Sequence, residues 1–219
     1  MDNFLHLFRA AGIVAWPLLA SSIVAVALIA ERLAFWFRVN RRQRRIVREV
    51  LNLYRKDSDL AIKKLQVNAD LPLARIFLEA LELDDANTDE FRLALESAAQ
   101  AEIPVLKRFN TIFDTIISLA PLFGLLGTVL GLITTFAALK LGDVGASNTS
   151  NVTGGISEAL VSTAMGLVVA IFTLLFANMF RGFYLQQMAF IQEAGGQLEL
   201  LYRHRYEQKH GELTYAPTR

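Results

Sequence analysis

The sequence has no cysteine, which excludes a disulfide scaffold, a thiol nucleophile and a thiolate metal site. Its three histidines stand near the chain ends, too scattered for a histidine metal cluster: His6, His204 and His210. Charge of one sign is also not in excess, because 22 lysines and arginines are matched by 21 aspartates and glutamates. The resulting net charge of +1 argues against a nucleic-acid binder that depends on bulk positive charge. The sequence therefore predicts no cofactor, no metal site and no nucleic-acid partner.

Charged residues are missing from three long stretches of the chain, although 53% of all residues are hydrophobic. The stretches are 10–30, 115–139 and 159–180, with 21, 25 and 22 residues respectively. A helix needs roughly 20 such residues to cross about 30 Å of hydrocarbon. The sequence therefore predicts an all-α integral membrane protein with three transmembrane helices.

Basic residues follow the first stretch, and they predict its orientation. An Ala-x-Ala-like cleavage site is missing from its end, so we interpret it as a span and not as a signal peptide. Basic residues stay on the cytoplasmic side, and the segments 38–114 and 181–219 hold 19 of the 22. We interpret the arginines that follow the first stretch as topology signals that contact lipid headgroups, with nucleic-acid binding as the weaker alternative. A multi-pass protein of the bacterial inner membrane is expected, with a periplasmic N-terminus and a cytoplasmic C-terminus.

This orientation divides the chain into seven segments. The predicted order is a short periplasmic N-terminus (1–9), transmembrane helix 1 (10–37), a helical cytoplasmic domain (38–114), transmembrane helix 2 (115–139), a periplasmic loop (140–150), transmembrane helix 3 (151–180) and a cytoplasmic C-terminal helix and tail (181–219).

The cytoplasmic segments are predicted to be helical, with long helices that extend from the membrane. Within 38–114 we expect one helix over 41–67, a turn over 68–72 and a short helix over 73–83. Thr88 or Asp89 is expected to cap a longer helix that enters the second span without a break. After the third span, a helix is expected to continue to Lys209, through Gly195 and Gly196.

Small residues recur every three or four positions in the second and third spans, so they share one helix face in each. In the second span this stripe holds Gly124, Gly127, Gly131 and Thr135. In the third span it holds Gly155, Ala159, Ser162, Gly166 and Ala170. Small residues allow close helix packing in lipid. The two stripes are therefore predicted to pack helices or to face a partner helix.

Glu158 is the only ionisable residue between Val144 and Phe180. A charge at membrane depth costs at least about 2.5–3.5 kcal/mol and usually faces a cavity. Alternatively, Glu158 lies in the first helical turn and stabilises the helix N-terminus. The hydroxyls of Thr128 and Thr163 have an equally simple alternative, a hydrogen bond to the carbonyl four residues earlier. One acid and a few hydroxyls form no complete ion relay, so another subunit should supply a carboxylate.

Two segments resemble the ExbB/TolQ/MotA proton-channel family. Residues 120–133, APLFGLLGTVLGLI, are similar to its "aP-x-x-GL-x-GTV-x-G" signature. Residues 155–167, GISEALVSTAMGL, are similar to the third-helix run "GI-x-EAL-x-x-TA-x-GL" of ExbB and TolQ. MotA, which has four spans, is the weaker match.

The resemblance implies a homopentamer whose second and third helices line a central pore. It also implies two copies of a single-span partner similar to ExbD or TolR, each with a membrane aspartate, and a TonB- or TolA-like protein that receives the work. By position in the motifs, it assigns Thr128, Glu158 and Thr163 to the pore lining. Ser162 stands where familiar members carry alanine, and is expected to add one hydroxyl to that lining.

The predicted function is that of a pore-forming ring subunit that uses proton motive force, with an ExbD-like partner, to energise TonB-type transport. The alternatives are a TolQ-type subunit for cell-envelope maintenance and a passive membrane scaffold. A proton is the predicted ion and sodium the alternative. An enzyme is not expected, because no Ser/His/Asp arrangement, phosphate-binding loop or metal-ligand spacing is found.

Overall fold

A computed structural model describes residues 12–83, 85–141 and 147–214, without the side chains of 12, 138–141, 147–153, 158 and 210–214. After a short 3-10 turn, Gly12–Val14, the helices are α1 (Ala15–Lys56), α2 (Ser58–Val67), α3 (Pro72–Leu81), α4 (Thr88–Leu106), α5 (Asn110–Leu141) and α6 (Ser147–Thr214). These described ranges contain no strand. The all-α prediction is confirmed.

Three helical stretches are long and apolar enough to cross a membrane. They are Ala15–Lys56, which is α1; Thr88–Ala137, which comprises α4 and most of α5; and Gly154–Lys209, within α6. The prediction of three membrane-spanning helices is confirmed by the length and composition of these stretches. The loop predicted at 140–150 lies partly outside the described residues, and its last four positions belong to α6.

The chain divides into two compact units. The first unit comprises the described residues of Met1–Arg32 and Phe109–Phe180. Its core contains Val14, Leu18, Ala120 and Ala170, with Phe123 and Val169 packed against them. The start of α1 therefore packs against α5 and α6.

The second unit comprises Leu33–Arg108 and the described residues of Arg181–Arg219. Its helix α3 buries most of its apolar residues, and only one face of that helix remains open to water. The ring of Phe91 stacks on that of Tyr202, with centroids 3.8 Å apart and planes 2° from parallel. The Tyr202 hydroxyl donates a hydrogen bond to the carbonyl of Ala86 at 2.7 Å. These contacts join α6 to the start of α4.

An ion pair joins α3 to α4 inside the second unit. Arg75 donates from Nε and Nη2 to the two carboxylate oxygens of Glu102, both at 2.6 Å, and from Nη1 to the carbonyl of Ala69. Only 11% of the Glu102 side chain is exposed, against 35% of Arg75. The bond to Glu102 raises the pKa of the Arg75 guanidinium above its ordinary value. This paired geometry holds α3 against α4.

The single helix predicted over 41–67 is wrong, because α1 ends at Lys56 and α2 begins at Ser58. Asp57 adopts an extended conformation, and its carboxylate accepts hydrogen bonds from the amides of Asp59 and Leu60. Such a side chain satisfies amides that a new helix leaves without partners. The Asp57-Ser58 pair was the signal that could have revealed the break.

The unbroken helix predicted to enter the second span is also wrong, because α4 ends at Leu106 and α5 begins at Asn110. Pro104 has no amide hydrogen for the carbonyl of Gln100, and its ring crowds that carbonyl. Phe109 then takes a left-handed conformation with φ of 68°.

Two predicted features at helix ends have different outcomes. The N-cap of α4 is Asn87, which forms a reciprocal capping box with Glu90, so neither Thr88 nor Asp89 has that role. The predicted extension of the last helix through Gly195 and Gly196 is confirmed by α6.

Replacing Glu102 with alanine should lower the free energy of unfolding by about 1–3 kcal/mol, because Arg75 loses its paired acceptor. The loss is smaller than for a fully buried pair, since the guanidinium reaches water. Thermal unfolding in detergent, followed by circular dichroism, measures the effect. The matched control is Glu96→Ala, which removes a mostly exposed partner of Arg92 at 3.7 Å and should change the stability by less than about 1 kcal/mol. Equal effects for the two variants would contradict the role of the Arg75–Glu102 pair.

Candidate functional site

The small residues of α5 and α6 face each other in an antiparallel contact, the α5–α6 seam. A methyl group on Gly124 would lie 2.9 Å from the Cα of Thr163, and one on Gly131 would lie 2.9 Å from the Cβ of Ala159. One on Gly127 would lie 2.7 Å from the Cβ of Ser162. Real Cβ atoms do not approach this closely, so the two backbones are too near each other for any larger residue at these glycines.

The seam extends along both helices. Gly155 lies directly against the hydroxyl of Thr135, and a methyl group on Gly166 would collide with the carbonyl of Ala120. The predicted packing residues are thereby placed together in one contact within a single chain: Gly124, Gly127, Gly131, Thr135, Gly155 and Gly166. Contact with a partner helix stays a prediction.

Ser162 lies inside the α5–α6 seam and is only 1% exposed. Its hydroxyl is 2.7 Å from the carbonyl of Ala159 and 2.9 Å from that of Gly124, so it shares its proton between the two helices. The single donor of this hydroxyl is therefore used within the chain. The pore-lining role of Ser162 stays a prediction.

Thr128 and Thr163 lie beside the seam, and their hydroxyls differ in hydrogen bonding. The Thr128 hydroxyl donates to the carbonyl of Leu125 at 2.7 Å, three residues earlier, whereas the alternative named the carbonyl four residues earlier. The Thr163 hydroxyl is buried and has no hydrogen-bond partner among the described residues. A polar group left in that state is costly unless something outside the described chain bonds to it. The pore-lining role of both threonines stays a prediction.

Glu158 belongs to α6, but its side chain lies outside the described residues. Because α6 begins at Ser147, Glu158 stands about three turns from the helix start. That position does not fit the alternative in which Glu158 stabilises the first turn. Its role in the ion pathway stays a prediction from the motif.

Two polar residues of the first unit were missed in the sequence. Arg32, at the end of the first apolar stretch, is 2% exposed, and its guanidinium lies 6.0 Å from the ring centre of Phe109. From sequence it reads as an ordinary charge flanking the span. Thr173 is fully buried and donates to the carbonyl of Val169 at 2.7 Å. Neither gave a signal in the sequence, because burial of these positions depends on the neighbouring helices.

Comparison with known proteins agrees with the resemblance seen in the sequence. The model of the MotA/TolQ/ExbB proton channel family matches residues 68–193, more than half of the chain. The chain belongs to the MotA/TolQ/ExbB proton channel family. The resemblance drawn from residues 120–133 and 155–167 is confirmed. This is a family of proton channels and not a known enzyme family, and together with the three apolar helices it places the chain in a membrane.

Individual relatives cover most of the chain. The ExbB-like 3 protein of Synechocystis sp. is 62% identical over 210 residues, which is 96% of this chain and 100% of the relative. The ExbB-like 1 protein of the same organism is 39% identical over 211 residues, 96% of this chain and 82% of the relative. The biopolymer transport protein ExbB of Salmonella typhimurium is 29% identical over 173 residues, 74% of this chain and 69% of the relative.

Replacing Gly166 with alanine should destabilise the α5–α6 seam by about 1–3 kcal/mol, because the added methyl group meets a backbone carbonyl that cannot turn away. The melting temperature in detergent measures this loss. Gly182→Ala is the matched control: a methyl group there meets nothing within 4 Å, and the helix propensity of alanine should leave stability equal or higher. A wild-type melting temperature for Gly166→Ala would show that the two helices separate more easily than this packing implies.

Proposed function

We propose that this chain is the pore-forming ring subunit of an inner-membrane motor driven by proton motive force. With an ExbD-like partner it energises TonB-type transport across the outer membrane. One observation supports this most: a chain of the proton channel family holds a buried hydroxyl, that of Thr163, which has no hydrogen-bond partner among the described residues. The relatives named as biopolymer transport proteins support the transport role.

The α5–α6 seam supplies the rigid wall that such a pore needs. Its glycines and the shared Ser162 proton hold the two helices at close range without bulky side chains. In this proposal α5 and α6 move as one body, so the face that carries Thr128 and Thr163 keeps its shape when the ring moves against its partner.

The ion pathway in this proposal needs two chains. Glu158 is the only acid in the stretches 115–139 and 151–180. A single-span partner with a membrane aspartate adds the second carboxylate, and the hydroxyls of Thr128 and Thr163 lie along the path between them. Each charge that crosses releases about 2.3 kcal/mol per 100 mV. That energy is enough to bias packing states of the ring and its partner that are nearly equal in energy.

The assembly and its orientation follow from the resemblance and from the positive-inside pattern. Five copies form the ring, two ExbD- or TolR-like subunits occupy it, and a TonB- or TolA-like protein carries the work outward. The N-terminus is periplasmic, and the second structural unit with its basic residues is cytoplasmic. A TolQ-type output is the alternative, since TolQ belongs to the matched family.

Thr163→Val should reduce proton-driven transport at least tenfold while the ring still assembles, because valine keeps the shape and removes the hydroxyl. Uptake is measured in cells that express the chain with its partner, and assembly is followed by size-exclusion chromatography. Thr134→Val is the matched control, because within the described part of the chain this exposed threonine of α5 donates to the carbonyl of Gly131 in its own helix. Its uptake should stay near the wild-type value.

Glu158→Gln should abolish proton-driven uptake in the same assay, since the glutamine amide does not ionise near neutral pH and cannot take up and release a proton as a carboxylate does. Full activity of both Thr163→Val and Glu158→Gln, with normal assembly, would contradict the ion pathway and favour the passive scaffold.

A further inference from the structure

The second unit contains an apolar groove whose floor and walls come from α1 and α6. It has a volume of about 770 Å³ and is lined by Leu33, Ala34, Trp36, Phe37, Asn40, Arg41 and Phe183. Phe37 is 66% exposed and Leu33 is 39% exposed. The indole of Trp36 is buried against the rings of Phe35 and Phe183, and no described residue accepts a hydrogen bond from its N–H. The groove thus has open apolar walls, with a buried indole among its lining residues.

The groove lies where the apolar part of α1 gives way to its arginines. Leu33 and Phe37 fall within the end of the first span, whereas Arg41 belongs to the basic run that follows. Aromatic and basic residues take these relative positions at the boundary between hydrocarbon and headgroups. We therefore expect the groove to extend from the depth of acyl chains to the depth of phosphates.

Arg41 is the cation at the polar end of the groove, and its pairing differs from that of Arg42 and Arg45. Arg42 binds Asp70 at 2.8 Å and Arg45 binds Glu49 at 3.1 Å. In the described part of the chain Arg41 has no carboxylate within ion-pair distance, and its guanidinium lies over the ring of Phe37 at 5.8 Å. Stacking on a ring leaves the edge donors of a guanidinium available for a phosphate.

We propose that this groove binds one anionic phospholipid of the surrounding bilayer. An acyl chain lies along Leu33, Phe37 and Phe183, and the phosphate is bound by Arg41 with the Asn40 amide beside it. Acyl chains of different lipids are equally apolar, so the groove contributes shape and the arginine contributes the preference for negative charge. The inference needs only a membrane location and does not depend on the proton pathway.

Quenching of Trp36 fluorescence by brominated lipids tests this proposal. The full chain carries two tryptophans, so the Trp16→Phe variant leaves Trp36 as the only fluorophore. The Trp16→Phe protein is reconstituted into phosphatidylcholine vesicles with increasing fractions of phosphatidylglycerol. In one series the phosphatidylglycerol is brominated, and in the other the phosphatidylcholine is brominated. Brominated phosphatidylglycerol should quench at about fivefold lower mole fraction than brominated phosphatidylcholine.

Two variants and one control give the test its specificity. Arg41→Gln should remove the preference while quenching persists, because the apolar walls remain. Ala34→Leu, which fills the groove, should weaken quenching by both lipids. Arg55→Gln, an exposed arginine further along α1 that does not line the groove, should keep the fivefold preference. Circular dichroism confirms that each variant is folded.

Two outcomes would overturn the proposal. Equal quenching by both lipids in the unsubstituted groove would show that Arg41 selects no headgroup. Absence of quenching by either lipid would show that protein covers the groove, as a second copy of this chain would. Neither outcome of the quenching experiment depends on whether the Thr163 and Glu158 variants lose proton-driven uptake.

Discussion

The close approach of α5 and α6 is the constraint on which the first unit depends. Apolar side chains gain nothing by leaving lipid for one another, so helices in a bilayer associate through tight packing and shared hydrogen bonds. Here both are present: glycines allow the backbones to touch, and the Ser162 hydroxyl shares its proton between carbonyls of the two helices. The position of the Ser162 hydroxyl between the two helices follows from this contact.

The second unit is held together by different physics. Burial of aromatic and aliphatic side chains stabilises it in water, as the stacked rings of Phe91 and Tyr202 illustrate. The Arg75–Glu102 pair restricts how α3 and α4 pack together, because a guanidinium and a carboxylate meet in only a few geometries. One chain therefore uses backbone proximity in one unit and side-chain burial in the other.

The errors made from sequence share a physical origin. Helical periodicity persists across Lys56 and across Leu106, so it gives no sign that the helices end there. Local interactions end these helices. The Asp57 carboxylate caps a new helix, and Pro104 removes an amide donor shortly before Phe109 adopts a left-handed backbone conformation. Spacing also places Ser162 on the small stripe without saying whether that stripe faces a lumen or another helix, so its pore-lining role stays a prediction.

The sequence by itself determined the helical class, the three apolar stretches and the family, because charge-free length and motif order are properties of the chain. It also determined which residues form the two small stripes. Only the tertiary structure decided that these stripes meet each other, that Arg32 is buried and that the Thr163 hydroxyl lacks a partner in the described chain. Such features depend on which helix lies beside which, and helix pairing is an interaction between distant segments that no local pattern encodes.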